Sequence, residues 1–215
     1  MPKVSFRPNH LGGDGRRLGA EAMSRLRGKS AAVIEDGLSD DEFARIEETF
    51  GFRFADDHRA FLAAGLPVNS PATPPEPGIA AAGSQPWPDW RHHDHDELRR
   101  RLEWPVDGVL FDVEKNQFWV ESWGKRPDRV DQATEIARRA LTRAPAMIPI
   151  YRHRYLPAGA GTCGHPVLSI WQTDIIYYGL DIADYIDREF AGADRPPDGA
   201  SWNPQATVEF WKDLI

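Results

Sequence analysis

The sequence predicts a single α+β domain with a mainly antiparallel sheet packed by helices. The predicted helices come first and the predicted strands mostly follow, joined by links of hairpin length. The chain has 215 residues, of which 41% are hydrophobic, so it has room for one substantial core. No internal repeat of the kind that builds a solenoid is evident in the sequence. These three observations favour one globular domain over a repeat array or a disordered chain.

Residues 1–37 form a predicted basic arm ahead of the domain. Over residues 1–30 the charge balance is +5, which leaves −12 for the rest of a chain whose total is −7. We expect a loose arm that packs back onto an acidic body. A tail that binds nucleic acid is the alternative, and the absence of a dense Lys/Arg block disfavours it.

Two helices are predicted to open the domain, which spans residues 38–190. Ser39–Glu42 has the spacing of a capping box, and Gly51 ends the apolar pattern that follows. A second helix is predicted over about 56–65. Segment 67–88 is rich in proline, which helices and central strands do not accept, so it is predicted to be a surface loop.

The rest of the domain is predicted to alternate helices and strands. A short helix is expected at about 95–103, and the strongest hairpin signal joins strands at 109–113 and 118–123. The elements that follow are a helix at about 131–143, strands at about 147–151, 166–171 and 174–178, and a helix at about 181–190. The tail, 191–215, ends in apolar residues and is predicted to dock on the domain.

Four large side chains are predicted to be buried because each lies on the apolar side of a predicted element. These are Phe111, Trp119, Ile170 and Ile186.

Charge and cysteine content limit the function classes. The net charge of −7 and the pI of about 5.5 oppose general binding to phosphate backbones. Cys163 is the single cysteine, which excludes an intrachain disulfide and is typical of a reducing compartment. The sequence shows neither a secretory signal nor a membrane span. We therefore expect a cytoplasmic protein without a nucleic-acid or membrane partner.

His92–Asp96 is the one cluster with metal-ligand residue types. A site needs three or four ligands, and neither HExxH nor a paired C-x-x-C accompanies this run, so a solvated helix start is favoured over a metal-dependent enzyme. Cys163 and His165 could form a nucleophile pair, and Asp112 and Glu114 would share one face of a strand. Both spacings also occur by chance. We predict no catalytic residue, no metal and no cofactor.

Five segments together resemble the SMI1/KNR4 family, also called the SUKH superfamily, and especially its bacterial members. They are residues 38–68, 87–91, 104–127, 146–157 and 165–190. The resemblance implies an α+β fold with a protein-binding role and no catalytic residue. For a bacterial member it implies an immunity-type protein that neutralises a polymorphic toxin such as a nuclease. The alternative is a housekeeping regulatory scaffold of the same fold.

Three segments supply the candidate partner-binding residues, and the third is the strand that holds Asp174 and Tyr178. Segment 87–91 is rich in residue types that dominate interface energetics, and segment 151–155 alternates aromatics with cations. The alternative is structural, with the arginines paired to carboxylates at the edge of the core, such as Asp112. The candidates are Trp87, Asp89, Trp90, Arg91, Arg152, Arg154, Tyr155, Asp174 and Tyr178.

Overall fold

The computed structural model describes residues 11–69, 86–92, 95–190 and 207–215. The helices in these ranges are α1 (Leu11–Lys29), α2 (Asp40–Phe50), α3 (Asp56–Ala64), α4 (His95–Lys115), α5 (Val130–Leu141) and α6 (Ile182–Phe190). The strands are β1 (Val33–Glu35), β2 (Leu66–Val68), β3 (Met147–Tyr151), β4 (Arg154–Pro157), β5 (Val167–Trp171) and β6 (Asp174–Gly179). Short 3-10 turns span Glu121–Trp123 and Trp211–Leu214. The chain is an α+β domain, as predicted.

Antiparallel pairing builds both sheets. Strands β1 and β2 form a two-stranded sheet, and β3 to β6 form a meander in sequence order. Arg152 and Gln172 adopt φ values of 51° and 55° in the two tight hairpin turns. Positive φ at a turn residue matches the right-handed twist of the strands it joins.

The four-stranded sheet lies between two layers of helices. Ile148 and Leu156 point to one side, where they pack with side chains of α1, α2, α3 and α6. Met147, Tyr155 and Leu168 point to the other side, where they pack with α4, α5 and the C-terminal turn. This alternation follows from the two-residue period of a strand.

The predicted capping box at the start of α2 is confirmed. The Glu42 N–H donates to Ser39 Oγ at 3.3 Å, and the Ser39 N–H donates to Glu42 Oε2 at 2.8 Å. Gly51 ends the helix at φ 72°, and its N–H donates to the Glu47 carbonyl at 2.9 Å. Helix α3 also begins at the predicted position.

The structure corrects the expectation of a loose N-terminal arm over residues 11–29. This stretch is helix α1, whose Ala22, Met23 and Leu26 are at most 1% exposed. Lys29 Nζ lies 3.0 Å from Asp187 on α6, so the basic helix does pack onto an acidic partner as expected. Residues 1–10 lie outside the described ranges.

The predicted hairpin at 109–113 and 118–123 is wrong. Residues 109–113 belong to α4, which runs on from the predicted short helix, and 118–120 have no regular structure. Val109 and Val113 lie one turn apart and are buried, whereas Phe111 between them is 46% exposed. Packing at helical spacing therefore outweighs the strand preference of β-branched and aromatic residues.

Pro105 lies inside α4 at a position where a helix loses one hydrogen bond. The carbonyl four residues earlier, that of Arg101, accepts a hydrogen bond from Tyr155 Oη at 3.2 Å. A side chain of the sheet thus supplies the donor that proline removes, and the helix continues.

Of the other expected core residues, Ile170 and Ile186 are fully buried, and Trp119 is half-buried. The elements predicted from 131 to 190 are present within a few residues, and the structure adds strand β4, which the sequence analysis does not predict. The expected loop 67–88 begins later than predicted, because Pro67 and Val68 belong to β2, and its residues 70–85 lie outside the described ranges.

Residues 207–215, at the end of the chain, pack on the domain. Val208 and Trp211 are each 1% exposed, and the Trp211 indole donates to the Pro145 carbonyl at 3.0 Å. Residues 191–206 lie outside the described ranges. Among the helices in the described ranges, none combines the length and the apolar character needed to cross a membrane.

Candidate functional site

The two tryptophans of the 87–91 segment lie in the core. Trp87 is 4% exposed and packs against the rings of Tyr151 and Phe190, with centroids 4.6 and 5.7 Å away. Trp90 is 2% exposed, and its ring meets the Phe54 ring edge-on at 5.4 Å. Both side chains anchor the segment to the domain, so neither is presented to a partner.

Arg91 ties the same segment to α2 and β1. Its Nε donates to Glu42 Oε1 at 2.7 Å, its Nη1 lies 3.1 Å from Glu35 Oε2, and its Nη2 donates to the carbonyls of Asp36 and Gly37. The side-chain hydrogen bond from Arg91 to Glu42 is the main reason that the pKa of Glu42 is lowered to about 2. The arginine has a structural role, although its partners are not the expected Asp112.

We expect Arg91→Gln to lower the free energy of unfolding by about 1–2 kcal/mol, because charge-assisted hydrogen bonds to half-buried groups are lost. Urea unfolding at neutral pH measures it. Arg139→Gln is the matched control, because Arg139 and its partner Glu135 are both largely exposed, and its cost should stay within about 0.5 kcal/mol. Equal losses in the two variants would contradict the structural role of Arg91.

Asp89 also has a local role in this segment. Its Oδ1 accepts hydrogen bonds from the backbone N–H groups of Arg91 and His92, at 3.1 and 2.8 Å. The carboxylate therefore holds the turn that follows Trp87 and Pro88.

Arg154 and Tyr155 are buried, and half-buried Tyr178 packs beside Arg154. The Arg154 guanidinium lies 3.9 Å from the Tyr178 ring centroid, 3.4 Å from Glu189 Oε2 and within hydrogen-bond distance of Ser169 Oγ. Tyr155 is 2% exposed, and burial raises the pKa of its hydroxyl far above the ordinary value. These residues fix α6 and α4 on opposite sides of the sheet.

The remaining two candidates, Arg152 and Asp174, lie at one end of the sheet. Successive antiparallel strands place the β3–β4 and β5–β6 turns at the same end. Helix α4 lies against the second turn, where a Cβ on Gly108 would come within 2.8 Å of Gln172 Cα. Asp112 accepts hydrogen bonds from the Thr173 N–H and Oγ1 at 2.9 and 2.6 Å, which fixes this contact.

A surface of aromatic side chains lies beside these turns. We call it the hairpin-end surface, and its members are Trp104, Phe111, His153 and Trp171, with Asp174 at its edge. The Trp171 ring lies 5.8 Å from that of Trp104 and 5.6 Å from that of His153. Phe111 is 46% exposed. Trp104 and Phe111 are seven residues apart on α4, and this spacing places them on one side of the helix.

Acidic residues border the hairpin-end surface. Glu103, Asp107 and Glu114 are exposed and follow one stripe of α4 beside Trp104 and Phe111. Burial, followed by the charges of Arg154 and Arg152, lowers the pKa of His153 to about 4, so this imidazole is neutral at neutral pH. The surface therefore combines neutral rings with an acidic border.

The residues considered for chemistry do not converge. Asp112 and Glu114 lie two residues apart on a helix, not on a strand, and so point to different sides. Burial, with the nearby Asp57, Asp56 and Asp14, raises the pKa of Cys163 to about 11, which keeps it a thiol. His93 and Asp94 lie outside the described ranges, and within those ranges no three His, Cys, Asp or Glu side chains are grouped for a metal ion.

Comparisons with protein-family models, with curated proteins and with solved structures return no match to this chain. The fold and the hairpin-end surface define an α+β domain that exposes an apolar, acid-bordered face.

Proposed function

We propose that this chain is a non-enzymatic protein-binding module that neutralises a toxin domain with a basic surface, such as a nuclease. The observation that carries the proposal is the hairpin-end surface, where exposed Phe111 and half-buried tryptophans border acidic side chains. The sequence resemblance of residues 38–190 to immunity-type SMI1/KNR4 proteins supports the same function.

Apolar exposure is the first argument. Phe111 is one of the five large hydrophobic residues that are exposed in the described ranges, and half-buried Trp104 lies on the same side of α4 and contacts Trp171. A contiguous apolar patch with a polar border marks interaction sites on soluble proteins. Tryptophan supplies much of the binding energy in such interfaces. The patch therefore has the composition of a protein interface.

Charge is the second argument. The chain carries a net charge of −7, and the acidic stripe of α4 lies next to the apolar patch. Nucleases present basic surfaces to nucleic acid, so an acidic protein is drawn to them and competes with their substrate. The partner that fits this surface is a basic protein domain.

We expect Phe111→Ser to weaken binding of the partner at least tenfold, about 1.4 kcal/mol, because an apolar anchor is lost from the interface. Its free energy of unfolding should change by no more than about 0.5 kcal/mol, because the side chain is 46% exposed. The partner is first captured from the native host by cross-linking and identified. Binding is then measured with purified proteins.

Val130→Ser on α5 is the matched control. Val130 is 42% exposed and lies on another element, so both binding and stability should stay unchanged. The captured partner's toxic activity, for example nucleic-acid cleavage, should fall to zero at an equimolar amount of wild-type chain. A captured partner without toxic activity, encoded away from any toxin gene, would overturn neutralisation in favour of a regulatory scaffold.

A further inference from the structure

A groove of about 350 Å³ lies between α4 and the link that joins α5 to β3. Its floor is formed by Pro105, Met147 and Trp211, which are all buried. Val106 and Ala144 line its walls and are half-buried. Ligand pockets in proteins have volumes of roughly 300–1,000 Å³ and a mostly apolar lining, so this groove has the size and the lining to hold a small molecule.

Hydrogen bonds fix the walls of the groove. The Trp211 indole donates to the Pro145 carbonyl at 3.0 Å, which holds the C-terminal turn against the link. The Ala158 N–H donates to the Ala146 carbonyl at 2.8 Å, which holds the link beside the end of β4. Because these walls are held in place before a ligand arrives, binding does not have to supply the free energy of ordering them.

The groove is lined by exposed charged side chains of both signs. Glu103 and Asp107 are one turn apart on α4, and Arg138 is on α5. Within the part of the chain that the structure describes, none of the three side chains has an ion pair or a hydrogen bond. A ligand with a single charge would pair with one element and meet a like charge on the other. A ligand with one positive and one negative group is complementary to both.

We propose that this groove binds a free α-amino acid with an aliphatic side chain. The ammonium group of the ligand pairs with Glu103 and Asp107, and its carboxylate pairs with Arg138, whose guanidinium can donate two parallel hydrogen bonds. The aliphatic side chain packs on Val106 and Met147. The end of a peptide carries only one of these two charges, so a free amino acid fits better. This binding activity is separate from the capture of a protein partner.

Titration of the full chain with L-leucine, followed by NMR, tests the proposal. We expect saturable binding that shifts the amide signals of residues 103–107 and 144–147. Two analogues test the charged contacts separately, because isocaproate lacks the ammonium group of leucine and isoamylamine lacks its carboxylate. Each analogue should bind at least tenfold more weakly than leucine, a difference of about 1.4 kcal/mol.

Three variants locate the contacts. Arg138→Gln should weaken leucine binding at least tenfold without weakening the binding of isoamylamine. Asp107→Asn should weaken leucine binding without weakening the binding of isocaproate. Arg139→Gln is the matched control, because Arg139 is exposed on the same helix but does not line the groove, and it should bind leucine as the wild type does. Melting temperatures of all three variants should match the wild type, because the replaced side chains are exposed.

Three results would overturn the proposal. They are the absence of saturable leucine binding at millimolar concentration, equal affinities for leucine and either analogue, and a leucine affinity that Arg138→Gln leaves unchanged. The titration contains no partner protein. A failed neutralisation assay therefore leaves amino-acid binding standing, and a failed titration leaves neutralisation standing.

Discussion

Trp90→Ala should lower the free energy of unfolding by about 3–5 kcal/mol, because it empties a large, closely packed volume in the core. The Trp90 ring is 2% exposed and packs against both the Phe52 and the Phe54 ring, with centroids 6.3 and 5.4 Å away. Denaturant unfolding followed by circular dichroism measures the change. A loss of this size would make the 87–91 segment part of the scaffold and not of an interface.

Trp119→Ala is the matched comparison. Trp119 is half-buried, and its indole donates to the Gly124 carbonyl at 2.6 Å in an exposed turn. Its loss should cost about 1–2 kcal/mol, because little core volume is emptied. If Trp90→Ala leaves stability unchanged and instead abolishes partner binding, the burial of Trp90 described above is contradicted.

His58→Phe should become more stable relative to wild type as the pH falls. His58 is 1% exposed, and neither ring nitrogen has a hydrogen-bond partner within the described structure. Burial lowers its pKa to about 3 from 6.5. Below pH 6.5 the unfolded chain binds a proton that the folded chain excludes, so His58 destabilises the fold progressively down to about pH 3. Phenylalanine fills a similar volume without titrating.

Between pH 7 and pH 5 the free energy of unfolding of His58→Phe should rise by about 2 kcal/mol relative to wild type. The reason is that protonation of the unfolded wild-type chain costs roughly 1.4 kcal/mol of stability per pH unit below 6.5. Urea unfolding at both pH values measures it. Leu62→Ala, a buried change on the same helix without a titrating group, should differ from wild type equally at both pH values. A pH-independent effect of His58→Phe would contradict the lowered pKa.

In the wild type, Asp57 changes the stability with pH in the opposite direction to His58. Burial raises its pKa to about 6 from 3.8, although its carboxylate accepts hydrogen bonds from the Gly164 and His58 N–H groups. Between pH 6 and about 4 the folded chain binds a proton that the unfolded chain does not, so acidification stabilises the fold through Asp57 in that window. Wild-type stability should therefore change less with pH than either group alone dictates.

Local signals allowed much of the fold to be predicted. The capping box at Ser39, the glycine stop at Gly51 and the amphipathic pattern of α6 act within a few residues, so the sequence displays them. The extent of α4 depends on distant groups, since Tyr155 supplies the donor that Pro105 lacks. Sequence patterns do not contain that information, and the strand preference of 109–113 was misleading.

Most of the candidate site could not be predicted for the same reason. Tryptophan and arginine are typical of interfaces and also of well-packed cores, and only the fold shows that Trp87 and Trp90 are buried and that Arg91 is paired. The hairpin-end surface was missed because Trp104 and Phe111 share a side only if 104–115 is helical. A helical pattern through Pro105 was the signal that could have revealed it.

The ion pairs between α1 and α6 affect the order in which the chain folds during synthesis. Arg25 donates to Asp187 across 162 residues of sequence, whereas α1 meets α3 only some 40 residues further on. A ribosome adds about 5–20 residues each second, so α1 and α3 can associate several seconds before α6 has left the exit tunnel. During that interval the side of α1 that will hold α6 stays open to other proteins.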